Sequence, residues 1–410
     1  MIVQNLPVPF DRRVWLEATT LVRAGYVVSV ISPKGRGYDV SEETIDGVHI
    51  HRHSLPAEKP GGLTYVVEYS LALFWELFLA VKISRRRGFD VIHACNPPDL
   101  IFLVGSVFKF LLGTRFVFDQ HDVNPELYEA KFGRHDVLWW LLRQAERLTF
   151  KAADICLATN DSFRRIAIER GHKRPKDVFV VRTGPNLDRM MPRSPNSRWR
   201  NGRAHMVGYV GVISEIEGLD LLLASVEFIV RERRRDDIQF VIVGNGPQWN
   251  AITTLCKEKR LEDWVTFTGR VEDNLLFEIL STADLCVNPD RVSPMSDIST
   301  MNKVMEYMAF GKAIVQFDVK EGRYSAGDAS AYAKANDPID FAEKLLDLVD
   351  DPLLRKRMGQ FGRRRVTEVL SWERQQPALI AAYDSVFRLP KDLGLFGRLR
   401  RLFTNANCTK

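Results

Sequence analysis

The feature that most constrains this chain is an alternation repeated along its length. Short β-branched runs are followed by helical patterns, and parallel sheets with helices on both faces are what such alternation builds. In the first half the strand candidates fall at residues 26–31, 48–52, 89–94, 115–119, 154–158 and 178–181. In the second half they fall at 206–212, 237–243, 265–268, 283–287 and 313–317. Between Asn186 and His205 the rhythm stops and prolines, serines and five arginines replace it, as in an exposed connection. The expectation is two doubly wound, Rossmann-like α/β domains at 1–188 and 205–371, a linker at 189–204, and a C-terminal helix with a basic amphipathic tail at 372–410. The length of 410 residues suits two domains. Residues 1–4 are short for a first strand, which leaves either a short edge strand or a natural start further upstream.

Charge and cysteines narrow the function classes. A net charge of +6 on 58 basic and 52 acidic residues is too small an excess to require a nucleic-acid partner, and none is expected. The five cysteines, Cys95, Cys156, Cys256, Cys286 and Cys408, show no C-x-x-C spacing, which reads as reduced thiols in a cytoplasmic protein without a metal-ligand cluster. Residues 1–13 lack the pattern of a secretory signal. The apolar stretch 65–83 is interrupted by Glu68, Glu76 and Lys82 and falls short of a membrane span. The positive excess is local: Arg85, Arg86 and Arg87 follow that stretch, and Arg398, Arg400 and Arg401 interleave with Phe396, Leu399, Leu402 and Phe403. Basic residues beside apolar ones suit a peripheral membrane contact, and the tail after Pro390 is the expected anchor. The run VLWWLL at 137–142 is read as a core helix, with a bilayer-facing patch as its alternative.

In doubly wound sheets, ligands gather at the carboxyl ends of the strands. A P-loop is absent, and Gly244-Asn245-Gly246-Pro247 is only a fragment of a dinucleotide loop, so nucleotide hydrolysis and hydride transfer are disfavoured. The segment 288–317 reads strand, loop, helix, glycine, strand. Ser299 with Thr300 looks like an N-cap, and the N–H groups of Thr300, Met301 and Asn302 would face an anion such as a diphosphate. Lys303 adds a charge there, and Glu306, one turn on, can accept hydrogen bonds from sugar hydroxyls. The same pattern also describes a surface helix with Lys303 and Glu306 as a solvated pair. In the first domain Phe118-Asp119-Gln120-His121-Asp122 ends a strand, making His121 a candidate site residue or an ordinary partly buried imidazole. Near the start, Asp11, Arg12 and Arg13 open a helix; two arginines at its positive end suggest an anionic acceptor, or pairing with Asp11 or Glu17.

These segments resemble the retaining glycosyltransferases of family 4, which have the two-domain GT-B fold. The residues that carry the likeness are Val207-Gly208-Tyr209-Val210-Gly211, Val243-Gly244-Asn245-Gly246-Pro247, Phe267-Thr268-Gly269-Arg270, Ala283-Asp284 and Met305-Glu306-Tyr307-Met308-Ala309, in the family's order. The resemblance implies a nucleotide-diphosphate sugar as co-substrate without a bound metal or other cofactor. It places the donor on the second domain through Gly211, Gly244, Asp297, Ser299, Thr300, Met301, Asn302, Lys303 and Glu306, with His121 beside the donor sugar and the acceptor on the first domain. Two departures stand out. The first glutamate of the family's Glu-x7-Glu pair falls at Ile298, with Asp297 as the candidate substitute, and the usual donor-site arginine and lysine align with Val212 and Glu217. Lys303 is the candidate replacement cation, as in a subgroup with an S-T-M-N-K-x-M-E-Y-M motif that resembles surface-polysaccharide transferases. The implied activity is transfer of a sugar to a lipid-linked or growing saccharide at the inner face of the plasma membrane. A non-catalytic sugar-nucleotide-binding subunit and a GT-B-like sugar-nucleotide epimerase are the alternatives.

Overall fold

The computed structural model describes residues 1–55, 62–390, 393–396 and 398. The chain forms two compact units, one of Met1–Arg182 with the segment from Gln376 onward, the other Thr183–Gln375. In the first unit β1 (Ser29–Pro33), β2 (Glu42–Ile45) and β3 (Val48–His53) form a ladder ordered β1-β3-β2, and β4 (Val91–Cys95), β5 (Arg115–Gln120), β6 (Ile155–Ala158) and β7 (Val178–Val180) form a second. Ile2 bridges Ile31 on one side and Ala94 on the other. The expected edge position is therefore corrected: the N-terminal residues lie in the middle, between the two ladders. All pairings except β2 with β3 are parallel, and Phe116 to Gln120 are buried on both faces, as parallel strands covered by helices require.

Helices connect these strands. In chain order α1 (Arg12–Arg23) precedes β1, α2 (Gly62–Arg87) links β3 to β4, α3 (Phe102–Leu112) links β4 to β5, and α4 (Asn124–Phe132) with α5 (Val137–Ala152) links β5 to β6. The C-terminal helix also joins this unit, since Tyr383 and Phe387 pack on Tyr26.

The second unit is a six-stranded parallel sheet of β8 (His205–Val210), β9 (Ile238–Val243), β10 (Val265–Gly269), β11 (Leu285–Asn288), β12 (Ala313–Phe317) and β13 (Ser330–Ala333), ordered β10-β9-β8-β11-β12-β13. Winding reverses between β8 and β11, the place where such sheets open a crevice at their carboxyl edge. One apolar cluster, around Leu223, Phe240 and Phe341, covers one face, and another, around Val304, Met308 and Ile314, covers the other.

Three expectations change here. Residues 189–204 are packed onto the second unit: Arg189 pairs with Asp273, Trp199 Nε1 donates to Glu278 at 2.8 Å, and Arg200 bonds Asp284 at 2.7 Å. The unit boundary falls at Arg182. The core reading of 137–142 also fails, because Val137, Leu138, Trp140 and Leu141 are exposed. Of the tail, Leu399, Arg400, Arg401, Leu402 and Phe403 lie outside the described residues, as does Cys408. The other four cysteines are free and buried. Among the described residues no helix is long and apolar enough to cross a membrane.

Candidate functional site

The reversal between β8 and β11 brings three charged side chains together. Lys303, in the first turn of the helix Asn302–Ala309, contacts Glu217 from the loop after β8 and Asp290 from the loop after β11, the latter at 2.6 Å. Its ammonium also lies 5.0 Å from the centre of the Tyr209 ring, a cation–π distance. Tyr209 in turn donates to Glu217 at 2.8 Å. The approach of the two loops depends on Gly218: it holds φ +62°, and a Cβ there would lie 2.0 Å from the Pro289 carbonyl oxygen. The Tyr307 hydroxyl fastens the helix to the sheet, accepting from the Val210 N–H at 2.8 Å and donating to the Val210 carbonyl at 3.3 Å.

The electrostatics of this trio are unequal. Burial raises the Asp290 carboxyl to about 7, with Glu217 adding to the shift and Lys303 opposing it. For Glu217, burial also favours the neutral acid, but the adjacent Lys303 outweighs it and holds the carboxyl below its ordinary value. Burial works against the Lys303 charge as well, yet Asp290 and Glu217 keep its pKa above the usual lysine value. Below pH 7 the trio is close to neutral; above it, one negative charge is left over. The ammonium has three N–H donors, and the two carboxylates take two.

The remaining residues expected on this unit sort differently. Ser299 is not an N-cap: it closes the preceding helix Pro294–Ile298, and its hydroxyl donates to the Met295 carbonyl at 2.7 Å. The N-cap of the next helix is Met301, with no side-chain cap, so the first-turn amides begin at Asn302 and Thr300 lies ahead of them. Asp297 accepts from the Lys320 N–H at 2.8 Å, which ties it to the start of the helix Lys320–Ala326. Glu306 is half-buried, one turn beyond Lys303, so the solvated-helix alternative fails: Val304, Met305, Tyr307, Met308 and Ala309 are all buried. Gly211 and Gly244 meet backbone to backbone, and a Cβ at Gly244, where φ is +145°, would lie 1.8 Å from the Gly211 carbonyl oxygen.

In the first unit, Asp119 near the end of β5 receives both Arg13 Nε and NH2, at 2.9 and 2.6 Å. Arg13 also donates to the Val181 carbonyl at 2.7 Å and lies 3.1 Å from Glu17. Arg13 is thus a buried structural cation and not an acceptor ligand; of the two pairings weighed, that with Glu17 is present. Asp11 caps α1 by accepting from the Val14 N–H at 3.1 Å, and Arg12 is exposed beside it. His121 Nε2 contacts Asp119 at 2.5 Å. A carboxylate can only accept, so Nε2 carries the proton there. Arg13 and His121 hold Asp119 well below the usual carboxylate range although burial pushes the other way. Asn96 fixes the loop by accepting from the His121 N–H at 2.7 Å and the Asp122 N–H at 3.2 Å. His93, Cys95 and Asp119 have metal-compatible spacing, but Arg13 already occupies both oxygens of Asp119.

Sequence reasoning named Asp119, Tyr209 and Glu217 without giving them a role in the site, and did not single out Asp290. Asp290 and Asp119 were open to discovery, since each sits at the carboxyl end of a strand.

Two family models match the chain in tandem: the glycosyl transferase 4-like domain over residues 11–184 and glycosyl transferases group 1 over residues 204–351. An alpha-D-kanosaminyltransferase of Streptomyces kanamyceticus is 27% identical over 307 residues, 70% of this chain and 75% of its own. Among solved structures, sucrose-phosphate synthase from Thermosynechococcus elongatus superposes with a TM-score of 0.76 at 20% identity, over 94% of this chain and 95% of its own. HepE from Anabaena, in complex with UDP and glucose, gives 0.69 at 12% identity over 94% and 98%. These likenesses show the GT-B fold.

Proposed function

Since this chain belongs to the glycosyltransferases of GT-B fold and carries their two domains in tandem, we propose that it is a retaining enzyme that moves a hexosyl or N-acetylhexosaminyl group from a nucleotide-diphosphate sugar. The acceptor in this reading is a lipid-linked or growing saccharide of the cell surface, met at the inner face of the plasma membrane. The observation that carries it is Lys303, held by Glu217 and Asp290 at the carboxyl edge where the second sheet reverses. Breaking the bond between the anomeric carbon and the diphosphate puts negative charge on the leaving oxygen. The third N–H of Lys303 and the first-turn amides of Asn302 and Lys303 are preorganised donors for that charge. The acceptor oxygen bonds to the same face of the anomeric carbon, and its proton passes to the departing phosphate. Glu306 accepts from a sugar or ribose hydroxyl pair. In the first unit His121, held by Asp119, is the residue that the family likeness assigns to the donor sugar. These residues supply the charge stabilisation that a metal would otherwise supply.

The test incubates purified protein with a panel of nucleotide sugars and saccharide acceptors and follows the anomeric proton by NMR. Retention at the anomeric centre, with nucleoside diphosphate released only when acceptor is present, is the expected result; inversion overturns it. Replacing Glu306 by Ala should weaken donor binding several-fold in calorimetry. The binding-subunit alternative draws on Val212 and Glu217, which put no cation in the first loop of this unit. It predicts donor binding without turnover.

A further inference from the structure

The helix layer over one face of the first sheet is unusually apolar on its outer side. Among the described residues 28 large hydrophobic side chains are exposed, and 16 of them fall between residues 67 and 148, a fifth of the chain. They lie mainly on α2, α3 and α5, which pack side by side, α2 on α3 and α3 on α5. Phe74, Phe110 and Trp140 are 59%, 66% and 55% exposed, one on each helix. Patches of this kind on a monomer mark an interaction surface.

The charges say what the partner is. Of the three acids on these helices, Glu76 and Glu146 are buried, and the side chain of the third, Glu68, lies outside the described ones. Cations do occur there, and on one edge. Each helix runs back to the start of the strand that follows it, which brings Arg85 and Arg87 of α2, Lys109 of α3, and Arg147 and Lys151 of α5 to the edge where β4, β5 and β6 begin. Lys109 is half-buried and paired with Asp154 at 2.6 Å, while the four others are exposed and outnumber Asp90, the exposed acid at the start of β4.

We infer that the outer face of α2, α3 and α5 seats this protein on an anionic lipid bilayer, with Phe74, Phe110 and Trp140 entering the interface and the basic edge meeting lipid phosphates. An apolar face flanked by arginines and lysines matches such a surface. Tryptophan is suited to the boundary between headgroups and chains. The proposal does not depend on turnover, and vesicle binding is measured without donor, so its failure is distinct from failure of the glycosyl-transfer reading.

The experiment floats the full chain on vesicles of phosphatidylcholine with about 30% phosphatidylglycerol. The wild type should bind, and binding should fall at least about tenfold on pure phosphatidylcholine. The double variant Phe110→Glu/Trp140→Glu should also lose at least about tenfold on the anionic vesicles. Wild-type-like binding by the variant would assign the attachment elsewhere, the tail included, and overturn the proposal. So would a concentration-dependent dimer that Trp140→Glu dissociates while vesicle binding persists, because a second copy would then be the occupant. Should the double variant unfold, Trp140→Phe decides: part of the fluorescence quenching by brominated lipid should disappear in it, and unchanged quenching counts against the face.

Discussion

Each unit contains a buried cation between two carboxylates, and the two knots differ in what surrounds them. In the first, Arg13 lies between Asp119 and Glu17, whose side chains are both 0% exposed. One acid, Asp119, is held ionised, and burial drives the other, Glu17, well above the ordinary glutamate value. In the second, Lys303 lies between Glu217 and Asp290, again with one acid held low and the other raised. Here the carboxylate and the ammonium are 15% and 10% exposed. A guanidinium committed to Asp119 and the Val181 carbonyl inside the core can only hold the fold together. An ammonium with two of three donors engaged, at the reversal point of its sheet, is placed to add a ligand. The contrast separates a charge closed inside the core from one left partly open more sharply than residue type does.

The largest expected effect breaks the first knot. Arg13→Met leaves Asp119 buried without its cation and should cost about 3–5 kcal/mol of unfolding free energy, measured by urea denaturation. A loss below about 1 kcal/mol would mean the core tolerates that charge. The matching lesion in the second unit should act on rate. Lys303→Met is expected to lower kcat by about 100-fold or more with a smaller change in Tm, because Asp290 can take up a proton and relieve the repulsion with Glu217. Equal kcat in the variant and the wild type would remove Lys303 from the site.

A third test exploits the Asp290 titration. An incoming diphosphate favours the protonated acid, so donor binding takes up a proton and affinity should fall as pH rises above about 7, by up to about tenfold per unit. Calorimetry at pH 6, 7 and 8 checks the slope, and Asp290→Asn should flatten it. The smallest effect concerns a buried acid. Among the described residues neither oxygen of Glu76 has a hydrogen-bond partner, and burial raises its pKa to about 8. Its neutral form is the compatible one, so the stability it contributes is complete below the unfolded value of 4.5 and is lost as pH rises through 8. Glu76→Gln should therefore gain Tm relative to the wild type at pH 9, by roughly 2–4 °C per kcal/mol recovered, and show a smaller difference near pH 5.

Much of the architecture was legible because its signals are local. Burial on both faces makes β5, β9 and β12 nearly continuous apolar runs, and the glycine-bearing turns between them repeat within a few residues. The linker misled for the opposite reason. Arg189, Arg198 and Arg200 look solvated in the sequence because their partners Asp273, Glu278 and Asp284 lie about eighty residues away. Ser299 misled because a cap and the end of the preceding helix present the same small polar residue, and only the position of the Met295 carbonyl distinguishes them. The run at 137–142 reads as core in the sequence because apolar content signals helix amphipathicity without saying which neighbour is missing.

The sequence alone determined the two α/β units, the strand-to-helix turns that hold His121 and Lys303, and the likeness to GT-B glycosyltransferases, since each rests on periodicity or on contiguous motif residues. Only the tertiary structure decided how each charge is held. Whether Arg13 or Lys303 can meet a ligand depends on the burial of Glu17, Asp119, Glu217 and Asp290, brought from distant segments by sheet order. Coulomb energy and desolvation act through space and not along the chain.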